Sequence, residues 1–245
     1  LVAYGGRCDV TQAPVTDRRA RQAVNYAVDT SRATKLLNGT AVAAHGILPP
    51  GVFGRDDALP AYPHDPAKAR ALLADAGYAS GLSVDFVTIA DEEAEKIAAS
   101  MQGDLAAVGV DMRISLVTIA AYVSMSGNRG GPVFAYAGWA GDSPDPTSFL
   151  DAKFHSRAIT EHAATNDSFY ANPELDALLD AAKADADPAS RAARYRRAER
   201  ILYDDAPWLW NYHQVMIEVT QPYVKNYEPH PVWIRDFVGT WLDLG

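Results

Sequence analysis

Between Leu82 and Ala140 the apolar residues change their period repeatedly, and this alternation restricts the fold more than any other feature. Leu82, Val84 and Phe86 recur at every second position, as one face of a strand requires. Within Glu92 to Val108 the residues Ile97, Met101, Leu105 and Val108 fall on one helical face, and Gly109 ends that run. Val110, Met112, Ile114 and Leu116 return to period two. A short helix near 120–126 and a glycine-rich turn at 127–131 lead to a third extended run through Val133, Phe134 and Tyr136. Strand, helix, strand, helix, strand predicts parallel pairing through right-handed crossovers, and therefore an α/β fold with helices against a largely parallel sheet.

The flanking segments carry helix signals of one kind. Asp17 caps a predicted helix running to about Val28, with Ala20, Ala23, Val24 and Ala27 on one face. Asp29 or Thr30 caps a second, ended by Gly39. Asp65-Pro66, Asn172-Pro173 and Asp187-Pro188 each pair a capping side chain with proline at the first helical position, where its missing N–H costs nothing. The last two helices offer Leu175, Leu178, Leu179 and Ala182, then Ala192, Tyr195, Ala198, Ile201 and Leu202 to a core. Residues 1–16 read as a strand or linker, Ala44 to Tyr62 as a long irregular segment that is either functional or packed as an arm, and Trp208 to Thr220 as strand-rich. Beyond lies a tail holding Tyr223, Tyr227, Trp233, Phe237 and Trp241.

Composition narrows the function. The 245 residues carry a formal net charge of −9, which disfavours nucleic acid and anionic membranes as principal partners. Arg191, Arg194, Arg196, Arg197 and Arg200 are interleaved with Glu199 and alanines on one helix and read as a solvated face. Cys8 is the only cysteine, which rules out an intramolecular disulfide and a cysteine-rich zinc site. No stretch of eighteen apolar residues is present. The chain starts at Leu rather than Met, without a basic and apolar leader, as expected of a processed or excised piece. Nucleotide-binding glycine loops, the nucleophile elbow and the zinc-protease helix are all missing. His155 and His162 read as loop histidines rather than a metal pair, and Asp91, Glu92, Glu93 and Glu95 as a helix first turn that complements the macrodipole. No metal or cofactor is expected.

The stretch Tyr136 to Leu150 turns a strand into a helix across two glycines, a tryptophan and two prolines. Ser143-Pro144-Asp145-Pro146 cannot continue a ladder, and Asp145 stands where an N-cap belongs. Such a stop sets side chains at a sheet rim, where open α/β sheets bind ligands. Asp142 and Asp145 are the one carboxylate pair able to do acid–base work, but they flank one turn and Asp145 is needed as a cap.

The segment from Pro14 to Asp29, PVTDRRARQAVNYAVD, resembles the peptide/nickel-type (family 5) solute-binding proteins of ABC importers. That family's pattern is P-F-x-D-x-R-V-R-Q-A-hydrophobic-N-x-A-hydrophobic-D, and the chain departs from it by Val15 for Phe and Ala20 for Val. The resemblance continues through Gly46 to Gly51 (GILPPG), Tyr62 to Tyr78 (YPHDPAKARALLADAGY), Asp104 to Val110, Gly138 to Leu150, Tyr170 to Ala182 and Ala206 to Tyr212. Family members are about twice this length, so the chain resembles their C-terminal half.

The resemblance implies a periplasmic-binding-protein-like lobe with a mixed, largely parallel sheet over residues 1–220, residues 1–16 being the incoming strand or linker. A tail at 221–245 would return to the missing N-terminal lobe. It implies a clamp without catalysis, periplasmic or tethered outside the cytoplasmic membrane, that closes on a peptide or related small solute and docks on an ABC permease. By the same resemblance the strand through the W-x-x-D motif pairs with an extended peptide and the Asp receives its α-amino group. The ligand-binding positions so implied are Tyr136, Gly138, Trp139, Ala140 and Asp142. A carboxylate partly buried beside Trp139 fits that role, because burial demands a cationic partner. Some dipeptide binders place an arginine ahead of the helix near Glu92 to hold the peptide carboxylate; here that segment reads Thr88 to Glu93, TIADEE, and is acidic. The alternatives are a solute-sensing domain of a regulator and a hydrolase using Asp142 and Asp145.

Overall fold

A computed structural model describes residues 2–230 and 235–244; the tail residue Trp233 lies outside them. One six-stranded sheet organises the chain. Its strands are β1 (Val2–Cys8), β2 (Ala41–Ala43), β3 (Leu82–Ile89), β4 (Val110–Val117), β5 (Phe134–Ala140) and β6 (Trp208–Gln214), in the order β2-β6-β1-β5-β3-β4. The expected parallel unit is present: β3 pairs parallel with both β4 and β5. The other half is antiparallel, since β1 runs against β5 and β6, and β6 against β2.

β1, readable in sequence only as a strand or linker, is the middle of the sheet. Its residues are buried almost throughout, which is why VAYGGRC shows no polar alternation. Gly5 is required where β1 slips register against β6, because a Cβ there would lie 2.0 Å from the Leu209 carbonyl oxygen.

Helices cover both faces. On one side α1 (Arg18–Ala27), α2 (Thr30–Leu36), α3 (Pro66–Asp75) and α4 (Glu92–Ala106) enclose a core of Ala23, Leu73, Ile97, Met101 and Leu105 against Phe86 and Phe134. On the other, α6 (Leu150–Phe154), α7 (Pro173–Ala184) and α8 (Pro188–Asp205) pack Phe154, Leu175, Leu179 and Leu202 against Trp208 and Trp210. Burying each such side chain contributes about 1.5–3 kcal/mol relative to exposure. The short α5 (Ile119–Met125) buries no residue. Asp17, Asp29, Asp65, Asn172 and Asp187 all accept from the first-turn N–H groups that they were expected to cap.

The family-like helix α1 departs from its expected face. Arg21 and Asn25 are buried with its alanines. The Asn25 amide donates to the Trp208 carbonyl at 3.1 Å while its oxygen accepts from the Trp210 N–H at 3.0 Å. Arg21 donates to the carbonyls of Val15, Thr16 and Asp205. These motif residues tie α1 to β6 and to the end of α8, so what they hold together is the lobe.

The long segment 44–62 is a packed arm on α8. Ile47, Leu48, Val52 and Tyr62 are buried, and Tyr62 donates to the Tyr203 carbonyl at 2.6 Å. Glu199, expected on the solvated arginine face, is instead buried beneath this arm and accepts from the Asp56 N–H at 2.6 Å. Four of those five arginines are paired: Arg191 with Asp145, Arg194 with Asp185, Arg197 with Glu174 and Arg200 with Asp56. Past β6, residues 215–220 leave the sheet, and β7 (Val224–Lys225) and β8 (Trp241–Leu242) form a separate two-stranded ribbon. Among the described residues no helix is long and apolar enough to cross a membrane.

Candidate functional site

The strand β5 has unequal edges. β1 pairs with it from Phe134 to Ala140, whereas β3 pairs only at Phe86–Phe134 and Val87–Ala135. Among the described residues, Tyr136 to Ala140 therefore have a strand neighbour on one side and an open edge on the other. Backbone groups alternate between the edges of a strand. The Val133 carbonyl accepts from the Asp9 N–H beyond β1, and the Tyr136 carbonyl accepts from the Tyr122 hydroxyl on α5. By that alternation the N–H and C=O of Gly138 face the open edge.

Beside this edge lies a cleft of about 230 Å³, walled by Gly138, Trp139, Tyr122, Val123, Lys153 and Asp167 among others. Trp139 is half-buried, and its indole N–H donates to the Ser148 carbonyl at 2.6 Å, which fixes the ring over the cleft. The turn that follows is tightly packed. Asp145 caps a 3-10 turn at Pro146–Ser148 through the Thr147 N–H, as expected, and holds Arg191 at 2.6 Å. Burial raises the Asp145 carboxyl, but the bonds from Arg191 and Thr147 outweigh it and the group titrates below its ordinary value. A carboxylate held in this way is a poor general acid.

The five expected positions fall into different places. Gly138 and Trp139 line the cleft. Ala140 is the last residue of β5, half-buried. The Tyr136 side chain points to the α4 side, where its hydroxyl bonds that of Tyr212 at 2.7 Å; only its backbone reaches the edge. Asp142 is exposed, not partly buried, and among the described residues no donor reaches its carboxylate. Desolvation thus places no demand on it in this lobe alone, and a demand would arise only with a covering surface. Of the two histidines, His155 is buried against Asp176 at 3.3 Å and Asp180 at 3.4 Å, while His162 is exposed.

A charged cluster at the cleft floor has no motif in the sequence. Lys153 Nζ lies 2.6 Å from one Asp167 carboxylate oxygen, and Arg7 Nε lies 3.6 Å from the other. All three side chains are buried. The one sequence signal for Lys153 is its spacing: it sits between Leu150 and Phe154 on the inward face of α6, where an apolar residue would be the default.

Such a lobe, a sheet covered on both faces with one strand edge open over a cleft, is a ligand-binding α/β architecture, and comparison with known proteins places it more closely. The family "Bacterial extracellular solute-binding proteins, family 5 Middle" matches residues 4–161. Heme-binding protein A of Haemophilus influenzae is 32% identical over 95% of the chain, and the dipeptide-binding protein of Escherichia coli 30% identical over 96%. Among solved structures, the periplasmic binding protein DppA from Helicobacter pylori, in complex with the peptide STSA, superposes over 99% of the chain with a TM-score of 0.87 at 27% identity. The chain belongs to the family 5 bacterial extracellular solute-binding proteins, and its fold is that of a periplasmic-binding-protein lobe. It spans 43% and 44% of the lengths of those two relatives and 47% of the solved chain.

Proposed function

We propose that this chain is one lobe of the solute-binding component of an ABC importer, which captures peptides or related small solutes by two-lobe closure outside the cytoplasmic membrane and delivers them to a permease. The observation that carries this reading is the open edge of β5. From Gly138 onward it offers backbone donors and acceptors to an extended chain, the means by which a peptide adds as a strand. Relatives described as dipeptide-binding and di/tripeptide-binding proteins, and a neighbour holding a tetrapeptide, support the solute class.

Asp142 is the recognition carboxylate for the solute's amino group. It stands exposed and without a partner among the described residues, four residues beyond Gly138, while the neighbouring Asp145 is already bound by Arg191. A second lobe closing over the rim would cover Ile119 and Val123, large apolar side chains that α5 leaves in solvent. Closure would also exclude water from the Asp142–ammonium pair and strengthen it.

In the intact protein, Asp142→Asn is expected to weaken a free-amine tripeptide by about 1.5–3 kcal/mol, the range for a charged hydrogen bond, and to leave the N-acetylated peptide unaffected. Isothermal calorimetry on the four combinations checks this. Equal affinity of the wild type for the free and acetylated peptides would remove Asp142 from the site.

A further inference from the structure

The cluster beneath the cleft is unbalanced. Arg7 and Lys153 bring two positive charges to one carboxylate, Asp167, and all three side chains are at least nine-tenths buried. Arg7 has further partners on the protein side, donating through Nη1 to the carbonyls of Pro132 and Asp167 at 3.2 Å each. Asp167 is also engaged by the Ser126 hydroxyl at 3.1 Å. Lys153 is served least. Its ammonium carries three N–H groups but among the described residues meets one carboxylate oxygen, and otherwise lies against aromatic rings, 4.9 Å from the centre of Trp139 and 5.4 Å from that of Trp208. Cation–π contact offsets part of the desolvation without satisfying a donor.

Burial pushes the Lys153 ammonium below its ordinary pKa, Asp167 draws it back up and Arg7 pushes it down again. An excess buried cation is costly unless an anion completes it. Lys153 lines the cleft together with Trp139, Gly138 and Asp167, so an anion in the cleft could reach it.

We propose that Lys153 receives a carboxylate of the solute at the floor of this cleft, so that the lobe reads the solute at two points, an amino group at Asp142 and a carboxylate at Lys153. This rests on the peptide reading above and gives it a substrate class: solutes with a carboxylate within reach of the β5 edge. It also relocates the anion-holding group that the acidic segment Thr88 to Glu93 does not supply. The carboxylate has two possible sources, the C-terminus of a short peptide or an acidic side chain, and the same chemistry serves both.

The test is calorimetry on the intact protein and on Lys153→Met, which keeps the aliphatic stem and leaves Arg7 and Asp167 as a balanced pair. The ligands are trialanine, trialanine amide, and the three amidated tripeptides in which one alanine is replaced by glutamate. In the wild type, either trialanine exceeds its amide by about tenfold or more, or one glutamate peptide exceeds trialanine amide by as much, as a charged hydrogen bond gives. The first pattern assigns the C-terminus and the second a side chain. Lys153→Met is expected to bring that ratio within about twofold while binding trialanine amide as the wild type does. Lys153→Gln serves the same comparison if the methionine variant does not fold. Wild-type ratios near one with every peptide bound, or a preference that survives the substitution, overturn the Lys153 assignment alone. Binding of none of the five ligands overturns the peptide reading and this assignment with it.

Discussion

At the scale of single residues, two buried titratable groups give stability opposite pH dependences. Glu199 is desolvated beneath the 44–62 arm and its carboxyl is pushed from 4.5 up to about 7, although the Asp56 N–H and Arg55 pull it down. A raised carboxyl contributes stability that is complete below the unfolded pKa and lost as pH rises through the folded one. His213 on β6 is buried with neither ring nitrogen partnered among the described residues, and its pKa falls from 6.5 to about 3, burial being the main cause and Arg55 and His45 adding to it. Its contribution is complete above the unfolded pKa and is lost as pH falls toward the folded one. Glu199→Gln should therefore gain on the wild type by up to about 3 kcal/mol between about pH 5 and about pH 8, and His213→Phe should gain as pH falls below about 6. Urea titrations at three pH values check both, and a pH-independent difference for Glu199→Gln would mean its carboxyl is ordinary. Neither burial is written in the local pattern. Glu199 belongs to a run of charged residues on a helix, and only the arm folding over it removes the water.

At the scale of elements, β5 depends on a residue without a side chain. The Tyr4 ring lies so close to Gly138 that a Cβ there would stand 2.5 Å from the ring carbon Cε1. Tyr4 in turn stacks on Tyr136 and Tyr212 at 5.8 and 5.0 Å, and the Tyr212 hydroxyl donates to Glu93 at 3.1 Å. Gly138→Ala should displace Tyr4, cost about 1–3 kcal/mol as overpacking does, and weaken solute binding because the edge itself shifts. Thermal melts with calorimetry test the pair of effects; an unchanged melting temperature would show that the tyrosine stack yields freely. Elements of this kind were partly legible. The helices capped by aspartate or asparagine appear where a cap and a proline or an apolar stripe announce them, since capping is a local bond. The buried polar face of α1 was not, because Arg21 and Asn25 satisfy backbone groups more than 180 positions away in the chain.

At the scale of the whole molecule, the cleft is bounded by α5, β5, α6 and the segment 163–167. Its rim exposes Val123, and Asp142 has no partner among the described residues. The chain of 245 residues on its own is expected to bind tripeptides no tighter than about millimolar, against micromolar or better for the intact protein, because half of the contacts and all of the water exclusion would come from the second lobe. Calorimetry on the two forms side by side decides this, and micromolar binding by the shorter one would show the lobe to be sufficient.

The sequence by itself determined the parallel unit β3-α4-β4-α5-β5, the capped helices and the family, since each depends on residues close together in the chain or on an ordered series of motifs. The family resemblance named Tyr136, Gly138, Trp139, Ala140 and Asp142 as ligand-binding positions, and of these Gly138 and Trp139 line the cleft. Only the tertiary structure decided that β1 is the central strand, that β5 is half unpaired, that Asp142 is exposed, and that Arg7, Lys153 and Asp167 meet under Trp139. Those facts follow from which distant segments exclude water from which side chains, and no local periodicity records that.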